Sequence, residues 1–224
     1  MAISDWPEDQ RPRERLMTYG PQALSDQELL AVFLRTGVQG KNALDLGREI
    51  LDYFGSLGKL FSASPDALDH FKGIGPAKIA LIQAVMELAR RTSSEELKRG
   101  PVLVSSHAVN RFLQSQFAGE QSESFIGLFL DVQHRLIACE RMFQGTLTRT
   151  CVYPREVARL ALAHNAAAVI FAHNHPSGSP QPSAMDKALT AQLKELMQTI
   201  EVAMLDHVIV CGTRFWSFRE KGLC

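Results

Sequence analysis

The residues with the most chemistry in them are two histidines separated by one residue and a carboxylate eleven residues further on. They stand in the segment His173-Asn-His175-Pro-Ser-Gly-Ser-Pro-Gln-Pro-Ser183-Ala-Met-Asp186. In an extended chain residues i and i+2 point the same way, so His173 and His175 can converge on one ion. Pro176, Gly178, Pro180 and Pro182 restrict the following loop and return it toward the histidines. Asp186 then falls in the first turn of the next predicted helix, where it can add an oxygen ligand. Two imidazoles and a carboxylate are the donor set of a catalytic zinc, one per chain, with a fourth position open to water. Water held there has a pKa near 7. The same nitrogen and oxygen set also suits iron, cobalt or manganese. Ser183-x-x-Asp186 ahead of a helix is equally an ordinary capping box, and Ser183 can cap the helix and face the metal at once.

The elements around this segment fit that placement. Ala167–Ala172 is a short apolar run of the kind that forms a buried strand, and residues 184–199 continue as a helix. Ser124–Leu130, Leu136–Cys139, Val202–Val210 and Arg214–Phe218 read as further strands. Helices are predicted near 106–118 and from Pro154, which suits a first helical turn. The first part of the chain has a different texture. Ser25 with Glu28 forms a capping box, Ala43, Leu46, Ile50 and Phe54 share one helical face, and another helix runs through Ile79, Ile82, Val85 and Leu88. A polar stretch from Thr92 ends in Gly100-Pro101, which places a domain boundary there: an all-α domain over 1–98 and a mixed α/β domain over 102–224.

Bulk properties narrow the class. At 224 residues, 46% hydrophobic and 21% charged, the chain can bury real cores and reads as globular. No apolar run reaches the roughly 20 residues that span a bilayer, so no membrane partner is expected. The start, MAISDWPEDQRPRERL, lacks the apolar core of a secretory signal. Cys139, Cys151, Cys211 and Cys224 are scattered without a CxxC pair, which suits free thiols in a reducing, cytoplasmic setting. With 24 basic and 24 acidic side chains, net charge argues neither for nor against nucleic acid.

His-x-His, seven residues, Ser, two residues, Asp is the signature of the JAMM (MPN+) metalloproteases, and residues 173–186 match it in type and spacing. The string HNHPSG, with PREVARLALAHNAAAVIFA before it and LDHVIV after it, resembles the RadC branch of that group. So do RPRERL at 11–16 and ALSDQELLAVFLRTG at 23–37, so the likeness covers nearly the whole chain. One departure is Ser179, where many RadC-like loops carry an acidic residue. The resemblance implies an α/β (α+β) domain with a cytidine-deaminase-like mixed sheet and flanking helices. It implies a zinc peptidase or isopeptidase of unspecified substrate, with a glutamate on an earlier strand as general base. Glu123 holds the matching place, and Glu140 is the rival. It further implies that Ser183 donates a hydrogen bond to the tetrahedral oxyanion. His207, beside Asp206 in a predicted strand, reads either as a residue behind the ligands or as an ordinary strand histidine.

Phe71-Lys72-Gly73-Ile74-Gly75-Pro76-Ala77-Lys78-Ile79 resembles a helix-hairpin-helix turn. Its two glycines allow a tight turn that brings backbone N–H groups near a phosphate, with Lys72 and Lys78 as charge partners. Any tight helical turn needs such glycines too, so DNA contact and plain protein packing both stand. Two function classes follow. One is amide hydrolysis at a single metal. The other is a DNA-associated repair or recombination factor with weak or no hydrolase activity, as the family label suggests. A nuclease is disfavoured because no second carboxylate cluster accompanies the motif, and a nucleobase deaminase because H-x-E…P-C-x-x-C is absent.

Overall fold

The structure is a computed structural model that describes residues 3–100, 106–145, 152–176 and 178–224. Pro101, Cys151 and Ser177, used above, lie outside the described residues. The chain divides into two compact units, Met1–Met86 and Glu87–Cys224.

The first unit is helical. Short 3-10 turns at Ile3–Asp5, Glu8–Gln10 and Pro21–Ala23 surround α1 (Pro12–Tyr19). Next come α2 (Asp26–Leu34), α3 (Ala43–Phe54), α4 (Leu57–Phe61), α5 (Pro65–Asp69) and the start of α6 (Pro76–Arg99). The expected capping box is formed: Ser25 Oγ accepts from Glu28 N–H while Glu28 accepts from Ser25 N–H. Asn42 and Asp45 repeat the device at α3, which ends on left-handed Gly55. Leu30, Leu34, Leu46, Ile50, Leu60, Leu68, Ile74 and Ile82 make the core of this unit. Helix α6 continues through the polar stretch from Thr92 to Arg99. The Glu and Lys there are good helix formers, Leu97 is buried, and the helix stops only where Gly-Pro begins.

The second unit adds α7 (Ser106–Phe117), β1 (Glu123–Leu130), β2 (Leu136–Gly145), α8 (Pro154–Ala163), β3 (Ala168–Asn174), α9 (Ala184–Thr199), β4 (Ala203–Cys211) and β5 (Arg214–Ser217). The five strands form one mixed sheet in the order β2-β1-β3-β4-β5. Among the described residues only β3 and β4 pair in parallel, and α9 supplies the crossover such a pair requires. Strand β2 extends past the predicted Cys139 because Arg141, Phe143 and Gln144 continue the ladder against β1. Helices cover both faces. Ile126, Leu128, Leu130, Ile170, Ala172, Val208 and Val210 pack with Phe112 and Leu113 of α7. Phe125, Phe129, Val169 and Phe171 pack with Val157 and Ala161 of α8 and with Leu193 and Met197 of α9. A strand buried on both faces has no polar side to show, which is why β1 and β3 read as unbroken apolar runs. Each fully buried Phe contributes roughly 1.5–3 kcal/mol relative to an exposed one. The alternation along β3 puts His173 on the α9 face with Val169 and Phe171.

Candidate metal centre

His173 is the sixth residue of β3, and its neighbour Asn174 is the last. The chain stays extended for one more residue, with His175 N–H donating to Val210 O on β4. His173 and His175 therefore face the same way, as i and i+2 must. The loop then returns to Ser183, the N-cap of α9, which places Asp186 in the first helical turn. His173 Nε2 and His175 Nε2 lie 2.9 Å apart. Asp186 Oδ1 is 3.3 Å from the first, and Oδ2 is 3.5 Å from the second. Among the described residues these three form the one cluster of metal-ligating side chains, with donor atoms all within 4.8 Å of one another.

Hydrogen-bond direction decides what the two nitrogens offer. His175 Nδ1 is 2.8 Å from Ser179 O, a carbonyl that can only accept, so Nδ1 carries the hydrogen. Ser179 takes part in this contact through its backbone, whatever its side chain. On the other side, His173 Nδ1 is 2.8 Å from His207 Nε2, and His207 Nδ1 is 2.7 Å from Thr190 Oγ1. Thr190 spends its one hydroxyl hydrogen on Asp186 O at 2.6 Å. A neutral His207 must then donate from Nδ1 and accept at Nε2, which makes His173 Nδ1 a donor. With both rings neutral, both Nε2 atoms are lone pairs, and at 2.9 Å they can face each other only across a shared proton or a metal ion.

A tetrahedral zinc ion fits that demand. With ligand bonds near 2.0–2.1 Å, its ligand atoms stand about 3.3 Å apart, and the three observed separations bracket that value. The Asp186 carboxylate, by hydrogen bonding, raises the His175 pKa above its ordinary value against the opposing effect of burial. Burial pushes the Asp186 carboxyl up, but the hydrogen bonds to His173 and His175 outweigh it and hold the group well below the carboxylate range. Burial drives His207 well below an ordinary imidazole, so it stays neutral. His207 is fully enclosed, stacked on Phe218 at 4.9 Å with Phe125 at 5.4 Å. The half-buried Asp206 carboxylate anchors its backbone by accepting from His207 N–H, Arg219 N–H and Ser217 Oγ.

Glu123 opens β1. Phe125 pairs directly with His173, and carrying that register two residues outward brings Glu123 level with His175. The negative charge of Glu123 is among the causes that raise the His175 pKa. The Asn174 side chain fixes this strand end: Oδ1 accepts from Ser124 N–H at 2.7 Å, and Nδ2 donates to Ser122 O at 3.0 Å. Glu140 faces elsewhere, 3.0 Å from His164 Nε2, whose ring lies against Phe129. Ser183 Oγ accepts from Asp186 N–H at 3.1 Å, and Asp186 Oδ2 accepts from Ser183 N–H at 2.7 Å. The capping box and the ligand cluster thus coexist. Asn174 and Thr190 were not singled out in the sequence. The one signal for Thr190 was its place one helical turn after Asp186.

In the first unit, Gly73 takes φ +106°, and a Cβ there would meet Leu46 and Val38 side-chain carbons at 2.9 Å. Gly75 and Lys72 are exposed. Lys78 turns inward, donating to Gly73 O at 2.8 Å and Thr36 O at 3.3 Å.

The RadC-like JAB domain model matches residues 103–223, and the UPF0758 N-terminal model matches residues 3–80. UPF0758 proteins of Herminiimonas arsenicoxydans and of Janthinobacterium sp. (strain Marseille) are each 57% identical over 222 residues, 99% of both chains. One from Nitrosomonas europaea is 52% identical over 223 residues, the full length of both.

Proposed function

This chain belongs to the RadC family, and from that membership and its metal centre we propose that it is a zinc-dependent hydrolase that cleaves an amide bond in a peptide or isopeptide. The observation that carries the reading is the pair of Nε2 lone pairs held 2.9 Å apart beside the Asp186 carboxylate. Such an acceptor-only cluster is built for a cation, and its mixed nitrogen and oxygen character suits zinc.

His173, His175 and Asp186 would hold a divalent ion, which would supply Lewis acidity and lower the pKa of water toward neutrality. Glu123 takes one proton from the attacking water as its oxygen bonds to the acyl carbon. It then delivers that proton to the amine nitrogen as the C–N bond breaks, so the products are a carboxylic acid and an amine. The placement of Glu123 level with His175, and the engagement of Glu140 by His164, favour Glu123 for this role. Ser183, at the exposed N-cap of α9, offers a hydroxyl hydrogen to the tetrahedral oxyanion.

The test is metal content of the purified protein beside His175→Ala, followed by peptide and isopeptide cleavage beside Glu123→Gln. Near one equivalent of zinc in the wild type, lost in His175→Ala, with cleavage lost in Glu123→Gln, supports the reading. A wild type that takes up no metal after supplementation defeats it.

A second reading concerns residues 71–79. The tight turn at Gly73 with exposed Gly75 and Lys72 favours backbone contact with DNA phosphates, with Lys72 as charge partner and Lys78 bracing the turn. Salt-sensitive duplex binding that weakens in Lys72→Ala is the check. No helix among the described residues is long and apolar enough to cross a membrane. Cys139, Cys211 and Cys224 are free thiols, as a reducing cytoplasm would keep them.

A further inference from the structure

We propose that His207 and Thr190 are positioning residues that lock His173 in the tautomer presenting Nε2 to the metal ion. The inference rests on the metal-centre reading above and extends it to two residues outside the motif.

The argument is one of direction. Asp186 O is a carbonyl and only accepts, so Thr190 Oγ–H, 2.6 Å away, must point at it. The same hydroxyl oxygen is then an acceptor for His207 Nδ1 at 2.7 Å. His207 is left with a bare Nε2, which accepts from His173 Nδ1 at 2.8 Å. Each bond fixes the next, and the chain starts from an atom that cannot reverse. It also closes on itself, because Asp186 supplies both the first carbonyl and a carboxylate ligand, and His173 supplies the other end. Two ligands from different elements, β3 and α9, are thereby tied through β4. The chain ends at a backbone carbonyl, so it leads a proton nowhere and serves as a lock rather than a relay. Phe125 and Phe218 keep water from substituting for either partner, since His207 has no exposed surface and Thr190 almost none. The partner behind a metal-bound histidine is usually a carboxylate, carbonyl or water. A second imidazole serves here because the threonine removes its choice of tautomer.

The experiment measures zinc affinity by chelator competition on the full chain, together with imidazole 15N shifts of the metal-free protein. Thr190→Val keeps the side-chain shape but removes the acceptor for His207 Nδ1. His207→Leu removes the acceptor for His173. Each is expected to weaken zinc binding about 10–100-fold, and Thr190→Val to shift the His173 hydrogen from Nδ1 toward Nε2. Thr190→Ser and His207→Gln, which can rebuild the same directions, are expected to stay within about threefold of wild type. Thermal denaturation without metal separates a folding defect from a binding one, and Thr190→Val carries the test if His207→Leu does not fold. A folded Thr190→Val that binds zinc like wild type and keeps the Nδ1–H form of His173 overturns the proposal while leaving the metal centre standing. A wild type that binds no zinc overturns the metal centre and this proposal together.

Discussion

Asp186→Asn separates the two roles that Asp186 combines. Its carboxylate accepts from Ser183 N–H at 2.7 Å as half of a capping box, and it also faces both imidazoles at 3.3 and 3.5 Å. An amide oxygen can still accept the cap hydrogen bond, so the cap survives, and the metal-free fold loses only what the carboxylate gains beside the two imidazoles. Zinc binding, by contrast, loses its one anionic ligand. Removal of a partner behind a ligand costs roughly 10–100-fold in affinity, so a change to the ligand itself should cost at least about 100-fold. At zinc about 1,000 times the wild-type Kd, binding stabilises the native state by about 4.1 kcal/mol; at 100-fold weaker affinity the gain falls to about 1.4 kcal/mol. With about 3 °C of Tm per kcal/mol for a domain of this size, zinc should raise Tm by about 12 °C in the wild type and about 4 °C in Asp186→Asn. Scanning calorimetry with matched zinc and EDTA samples reads both numbers. Equal shifts would refute the reasoning and leave Asp186 as a helix cap only.

Other outcomes follow from the same geometry. Glu123→Gln should keep full zinc occupancy and lower amide cleavage by about 10²–10⁴-fold, read by metal analysis and single-turnover assays on one preparation. Ser183→Ala should lower stability by about 1 kcal/mol with or without zinc through loss of the cap, and lower turnover by up to about 10²–10³-fold at the oxyanion; equal turnover would confine Ser183 to capping. Gly73→Ala should destabilise Met1–Met86 by about 1–3 kcal/mol, because φ +106° is forced on a Cβ that also meets Leu46 and Val38; denaturant melts of the wild type and variant compare directly. Burial pushes the Cys139 thiol up to about 12. At pH 8 about one molecule in 10⁴ is thiolate there, against roughly a quarter for an ordinary thiol, so a thiol reagent should show no Cys139 adduct until the protein is unfolded.

The convergence of His173, His175 and Asp186 and most strand positions were legible in the sequence because both depend on local spacing. His173 and His175 share a side of any extended segment, and a doubly covered strand must be apolar throughout. The resemblance favours Glu123 over Glu140, but the geometry behind that preference was not legible, since it turns on which strand end lies beside β3. The register of Phe125 against His173 brings one glutamate level with the site, and His164 takes up the other. Thr190 was invisible for a similar reason. Its hydroxyl matters only once the parallel β3–β4 pairing sets His207 beside His173, a contact 34 positions apart in the chain. Lys78 shows the converse limit: composition marks a cation, but only the folded turn shows that its donors go to Gly73 and Thr36.

The middle residue of the His-x-His motif can be viewed as a gauge block. Asn174 grips the chain on both sides of Glu123, through Ser122 O and Ser124 N–H, while its own backbone neighbours are the two ligands. The spacing between Glu123 and the two histidines is therefore set over a few covalent bonds and two hydrogen bonds rather than accumulated across the sheet. Breathing of the sheet, edge fraying of β2 or repacking of the helices would displace Glu123 and the histidines as one block. Wear in the surrounding scaffold should then lower stability well before it detunes the chemistry.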